Sequence, residues 1–284
     1  MSMTHESLEQ RILFHVALIS NGVLVLQGLD AHDDVLQVSR VGDIYRAEAV
    51  SDGFVEDFAV SEVTAGINIT GGSGEDQIAI VGDISLPTTL QGGADDDTIN
   101  GSTGKDFIEG GSGNDQLLGN GNRDNIFGNA GNDVLAGGGK NDTLDGGTGG
   151  DVLVGGAGTF DRVNYNGRTA GVSVSIDDLA NDGESGEADN ISPTCEVFEG
   201  GNGNDFIRGS GKPNVIFGGP GDDTLIGGGG NDRLTGDAGR DSLEGQSGDD
   251  VLSALDGEID TLSGGSGSGD SADADDNDVV EAIP

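Results

Sequence analysis

Between Gly92 and Val154 an Ile or Leu recurs at every ninth residue, and the stretches between are rich in Gly, Asp and Asn. The same beat returns between Gly200 and Ser253 and appears once alone at Gly71–Ala79. One apolar position per nine residues predicts a short strand followed by a tight polar turn. A unit with so little apolar surface cannot fold alone and has to stack on copies of itself. Upstream, Val23–Leu26, Val35–Val38 and Ile67–Thr70 are short β-like runs separated by Gly, Asp and Asn, and predict strands leading into the stack. The run Ile12–Ile19 is interrupted by His15, is too short to span a bilayer, and lacks a basic n-region or an Ala-x-Ala cleavage site. The pattern divides the chain into a strand lead-in or cap at 1–70, a first repeat block at 71–165, and a connecting loop or bulged coil at 166–199. A second block follows at 200–272, then an acidic tail at 273–284.

The units are GGADDDTIN, GSTGKDFIE, GGSGNDQLL, GNGNRDNIF, GNAGNDVLA, GGGKNDTLD and GGTGGDVLV in the first block. In the second they are GGNGNDFIR, GSGKPNVIF, GGPGDDTLI, GGGGNDRLT, GDAGRDSLE and GQSGDDVLS, with GGSGEDQIA standing alone. Across these 14 units position one is always Gly and position eight always Ile or Leu, and position six is Asp in 13, the exception being Asn214. Turn-capping by Asp and Asn alone would not need Asp at one fixed position, so a bare solenoid with capped turns explains the pattern poorly.

Composition changes the picture twice. Glycine plus proline reach 60 of 284 residues with few aromatics, which on its own reads as disorder until the period is noticed. The 12 basic and 52 acidic side chains leave a net charge of −40, which excludes nucleic acid and anionic membrane as partners and makes cations the natural ones. The single Cys195 rules out a disulfide scaffold.

The pattern GGxGxDxUx resembles the RTX family of haemolysin-type calcium-binding repeats, over residues 71–272 with an interruption at 166–199. The resemblance implies an all-β fold, a right-handed parallel β-roll or β-helix solenoid with calcium in its turns. Calcium takes six to eight oxygens, which turn carbonyls and one carboxylate can supply together, while Gly at positions one, two and four permits positive φ and close backbone approach. With two nonapeptides per coil the position-six carboxylates form a ladder, one rung per strand spacing.

Carried over residue by residue, the implied ligands are Asp97, Asp106, Asp115, Asp124, Asp133, Asp142 and Asp151, then Asp205, Asp223, Asp232, Asp241 and Asp250. Asn214 and Lys212 depart from the pattern in one turn and put its site in doubt. Lys140 and Asp95 replace the position-four Gly and predict distorted or weaker turns, and Asp76 lacks an in-register neighbour. Asp161 and Asp270 fall one place late in what look like degenerate turns. Stacked carboxylates repel one another when no cation lies between them, so the blocks are expected to be largely unfolded without calcium and to take on the order of ten ions.

Asp178, Asp182, Glu184, Glu187 and Asp189 form an acidic group in the connecting stretch; they fail the EF-hand pattern and read as a solvated loop or one further ion site. The acidic tail fails the same pattern and reads as disordered or as a secretion signal. GVLVLQGLDAHDDVLQV resembles the strand lead-in of bacterial surface and secreted repeat proteins, and ESLEQRILFHVAL resembles the N-terminal segment of planctomycete-type exported proteins or forms an amphipathic helix.

No catalytic motif is visible. His5-Glu6 has Glu9 where HExxH needs His, no GxSxG occurs, and His5, His15, His32 and Cys195 read as ordinary residues. The expectation is therefore a non-enzymatic, bacterial-type protein, secreted or on the cell surface, that binds calcium and makes structural or adhesive contacts, with cell-surface or polysaccharide partners. Exposed roll ends leave end-to-end self-association open. The alternative is a carbohydrate-active β-helix enzyme with its site on a strand face.

Overall fold

The nine-residue units become coils of two strands each, and the backbone hydrogen bonds run between coils. The computed structural model describes residues 16–283 apart from 30, 31, 52 and 178; His5, His15, Asp178 and nearly all of ESLEQRILFHVAL lie outside the described residues. No helix occurs among the described residues, so none is long and apolar enough to cross a membrane. The fold is a parallel β-solenoid, as the resemblance implied. The described chain divides into two units, one up to Gly139 and one from Lys140.

The first unit opens with β1 (Val16–Ser20) antiparallel to β2 (Val23–Gln27). From β2 the strands run parallel in the order Gly66–Ser73, Thr88–Ala94, Asp106–Ser112 and Asn125–Ala130. On the other side, Val134–Gly139, Gln116–Gly121, Thr98–Asn100 and Gln77–Val81 stack in parallel onto β3 (Val35–Val41). There β4 (Ile44–Ala49) and β5 (Phe54–Ala59) turn the sheet antiparallel and end it. The alternating pattern of these first strands builds a small core of its own, with Leu24, Leu26, Leu36, Val38 and Ala47 fully buried.

In the second unit one sheet runs Thr143–Thr148, Arg162–Asn164, Val197–Glu199, Val215–Pro220, Arg233–Ala238, Val251–Ala254 and Ser271–Ala274. The opposite side begins with Val152–Ala157 paired to Asn190–Ile191. It resumes as a separate sheet through Val172–Ser175, Phe206–Arg208, Thr224–Gly229, Ser242–Ser247, Thr261–Ser266 and Val279–Glu281. The connecting stretch is thus an enlarged coil within the stack.

Register is set by position eight. Ile99 pairs with Leu117 and Leu117 with Leu135, and in the second unit Ile216 pairs with Leu234 and Leu234 with Leu252. Every position-eight side chain is at most 2% exposed, so the apolar residues stack as an internal column while positions seven and nine face outward.

Part of the tail is ordered, against the disordered reading. Asp278-Val279-Val280 keeps the Asp-x-apolar spacing of a repeat, so Val279–Glu281 adds a last parallel strand to Thr261–Ser266, and Asp278 accepts the Asp260 N–H at 3.1 Å.

Candidate metal-binding turns

Each coil hands its backbone N–H to the carboxylate of the next. Asp97 N–H donates to Asp115 Oδ1 (2.8 Å), Asp115 N–H to Asp133 Oδ1 (2.7 Å) and Asp106 N–H to Asp124 Oδ1 (2.8 Å), each 18 residues on. In the second unit the same bond joins Asp205 to Asp223, Asp223 to Asp241, and Asp232 to Asp250 at 2.7–2.9 Å. The twelve aspartates carried over from the sequence are all at most 4% exposed, a burial that carboxylates tolerate only with partners.

One carboxylate oxygen is therefore committed to the ladder, and the turns differ in what meets the other. In the turns ending at Asp97, Asp115, Asp223, Asp232, Asp241 and Asp250, position two is Gly93, Gly111, Gly219, Gly228, Asp237 or Gln246, with φ between 69° and 127°. The Oδ2 atoms of these six aspartates are buried and have no hydrogen-bond partner among the described residues. In three other turns position two keeps an ordinary φ and its N–H closes on the position-six side chain. Ser102 donates to Asp106 Oδ2 (2.6 Å), Gly201 to Asp205 Oδ2 (2.7 Å) and Ser210 to Asn214 Oδ1 (2.8 Å). Asp106 also accepts the Ser102 and Thr88 hydroxyls. Two of the twelve expected ligands, Asp106 and Asp205, thus have protein donors on both oxygens.

The fixed Gly at position one answers to space rather than to φ. A Cβ on Gly92 would lie closer than 3 Å to both the Asp97 carboxylate and the Gly110 carbonyl, and one on Gly218 would meet the Asp223 carboxylate and the Gly236 carbonyl in the same way. Carboxylate oxygen and carbonyl oxygen of adjacent coils thus converge on one small volume. Positive φ belongs to positions two and four, and at position four Lys140 and Asp95 adopt it (82° and 78°) as Gly does, so these turns keep the repeat geometry at a backbone cost instead of distorting.

No three His, Cys, Asp or Glu side chains converge on one point among the described residues. A cation here would be held by one carboxylate per turn with backbone carbonyls around it, a hard all-oxygen set that fits calcium. Burial pushes the Asp97, Asp223 and Asp232 carboxyls up to about 7 and that of Asp241 up to about 6, and neighbouring carboxylates push in the same direction.

Several rungs escaped the period. Asp34 takes the position-six place at the end of GLDAHDD, where an extra residue hides it: its N–H donates to Asp76 Oδ1 (2.7 Å) and its Oδ2 accepts the Leu29 N–H (2.7 Å). Asp76 therefore has neighbours on both sides, since its own N–H donates to Asp97 Oδ1. Asp161 and Asp270, though late, sit on the ladder and accept from Asp142 and Asp250; Asp260 accepts from Asp241. Glu196 fills a rung with a longer side chain, accepting the Asp161 N–H at 3.0 Å. The signal that could have found Asp260 is the trailing Asp-Thr-Leu, which survives an insertion that breaks the spacing from Ser253.

Two members of the acidic group of the connecting stretch, Asp182 and Asp189, are buried rather than solvated, each 1% exposed. Asp189 Oδ1 accepts the Asp151 N–H and its Oδ2 the Tyr165 hydroxyl, both at 2.8 Å; Arg168 pairs with Glu187 at 2.8 Å and Glu184 at 3.6 Å.

Comparison with known proteins agrees with this geometry. The sequence pattern of the RTX calcium-binding nonapeptide repeat matches in four copies, at residues 88–117, 127–159, 199–234 and 226–258. No curated protein matches the chain as a relative.

Proposed function

Because the chain belongs to the RTX calcium-binding repeat family, we propose that calcium fills its open turns, drives the repeats to fold, and so switches on a structural or adhesive protein outside the bacterial cell. The observation that carries the reading is the row of buried Oδ2 atoms without a donor at Asp97, Asp115, Asp223, Asp232, Asp241 and Asp250. Leaving a buried carboxylate oxygen without a donor costs several kcal/mol, and a cation shared between adjacent coils removes that cost at each open rung.

The proposed ligand set is these six with Asp124, Asp133, Asp142 and Asp151, joined by Asp161, Asp260 and Asp270, each acting with carbonyls of its turn. Asp106 and Asp205 join it only if Ser102 and Gly201 release them. Calcium supplies charge neutralisation and oxygen coordination, and the protein supplies the register. Modules of this kind suit calcium at about 10⁻⁴–10⁻³ M, which favours an extracellular place of work. Surface contact is supported by apolar side chains on the strand faces, such as Leu118 and Val134, 37% and 44% exposed.

Calorimetric titration of chelator-stripped protein with calcium tests the reading. Uptake of on the order of ten ions is expected; uptake of none or one overturns it.

A further inference from the structure

The coil between the repeat blocks meets its buried aspartates with its own atoms. Asp189 spends both carboxylate oxygens on protein donors, the Asp151 N–H and the Tyr165 hydroxyl. Asp182 does the same, accepting the Ser175 N–H at 2.6 Å and the Ile191 N–H at 3.3 Å. Neither leaves a buried oxygen without a donor, in contrast to the open turns. The remaining charge is met by Arg168, whose guanidinium pairs with Glu187 and Glu184 and lies 5.7 Å from the Tyr165 ring centroid.

Arg168 is itself held in place. Its N–H donates to the Tyr165 carbonyl, and its carbonyl accepts from the N–H (2.9 Å) and the side chain (3.0 Å) of Asn202, at the start of the second block. The Glu187 carboxylate in turn accepts the Glu184 N–H at 2.9 Å.

Apolar burial follows the same division. Residues 161–199 bury nine hydrophobic side chains, among them Tyr165, Ile176 and Phe198, whereas the equal length of repeat from 215 to 253 buries five. Since burial scales with stabilisation, this coil has more to hold it together without an ion than any repeat of its length.

We propose that residues 165–199 are a calcium-independent coil, in which Arg168 does the neutralising that the repeats leave to calcium, and that this coil is the seed on which the neighbouring repeats fold as the ion arrives. The inference rests on the calcium reading above and adds its regulation: where folding starts, and in what order calcium completes it. A single coil in a solenoid gains stability from each neighbour, so a permanently folded one lowers the calcium needed by the coils beside it.

Hydrogen exchange read by mass spectrometry, on the full chain in chelator and in calcium, tests this. In chelator, peptides from 165–199 are expected to exchange at least about tenfold more slowly than peptides from 110–136 and 218–250; calcium brings all of them to slow exchange. Arg168→Gln is expected to erase the protection in chelator and to move the calcium midpoint of 218–250 upward, and Tyr165→Phe to do so by a smaller factor. If 165–199 exchanges as fast as the repeats in chelator while the repeats still respond to calcium, the seed is overturned and the calcium reading stands. If the repeats are as protected in chelator as in calcium, the calcium reading fails and the seed with it. Should Arg168→Gln fail to fold even in calcium, the wild-type profile in chelator and Tyr165→Phe decide the matter.

Discussion

The turn that ends at Asp223 and the coil that carries Asp189 bury the same chemical group on the same kind of rung. Each Asp accepts a backbone N–H from the preceding coil, at 2.7 and 2.8 Å, and burial pushes each carboxyl up to about 7. They part at the second oxygen. Asp223 Oδ2 has no hydrogen-bond partner among the described residues, whereas Asp189 Oδ2 takes the Tyr165 hydroxyl and has Arg168 and its acidic partners alongside. Asp205 shows a third way, with the Gly201 N–H folded onto its Oδ2. The lesson is that burial alone does not call for an ion. A backbone choice at position two does: positive φ at Gly219 leaves the carboxylate open, and ordinary φ at Gly201 closes it.

Acid should blur the comparison most. For Asp97, Asp223 and Asp232 the folded carboxyl sits at about 7 against about 3.9 in the unfolded chain, so the folded state binds protons more tightly. That contribution to stability is fully present below pH 4 and is lost as pH rises through 7. Stripped protein is therefore expected to show substantial β structure by circular dichroism at pH 5.5 and little in the repeat blocks at pH 8; indifference to pH would contradict the open-carboxylate account.

Asp223→Ala removes one rung and leaves the Asp205 N–H without its acceptor, at a cost of about 1–3 kcal/mol before any lost ion is counted. Calorimetry should find fewer bound ions than in the parent, whereas Asp205→Asn, in a closed turn, should leave the count unchanged. Equal losses from the two would erase the distinction between open and closed turns.

Gly92→Ala places a methyl group against the Asp97 carboxylate and the Gly110 carbonyl, and backbone cannot give way. The calcium-loaded protein is expected to lose about 1–3 kcal/mol in thermal or denaturant unfolding. The smallest effect is expected from Lys140→Gly: relief of the left-handed backbone at φ 82° outweighs the extra freedom of the unfolded chain by a few tenths to about 1 kcal/mol, a slight gain in melting temperature.

How much could be read from sequence divides along the same line. Where nine residues repeat without insertion, strand, turn, inward Leu and buried Asp were all legible, because one spacing fixes them together. Asp34, Asp189 and Asp260 were not, since one or more extra residues shift them out of phase while the strand after them recovers the register. The Arg168 clasp was less legible still. It needs Tyr165, Arg168, Glu184, Glu187 and Asp189 brought together by a coil that breaks the period, so a group that read as a solvated loop or an ion site holds two buried aspartates and a partly buried arginine clasp. Position-one Gly was read in part: its need is room for two oxygens, which φ alone does not reveal.

The central claim is that the open turns fold only when a cation joins their carboxylates, and a calcium titration of chelator-stripped protein at pH 7.5, followed by far-ultraviolet circular dichroism with magnesium as control, tests it most directly. The account predicts a cooperative gain of β structure at sub-millimolar to millimolar calcium that magnesium does not reproduce. Full β structure in chelator, unchanged by calcium, would contradict it.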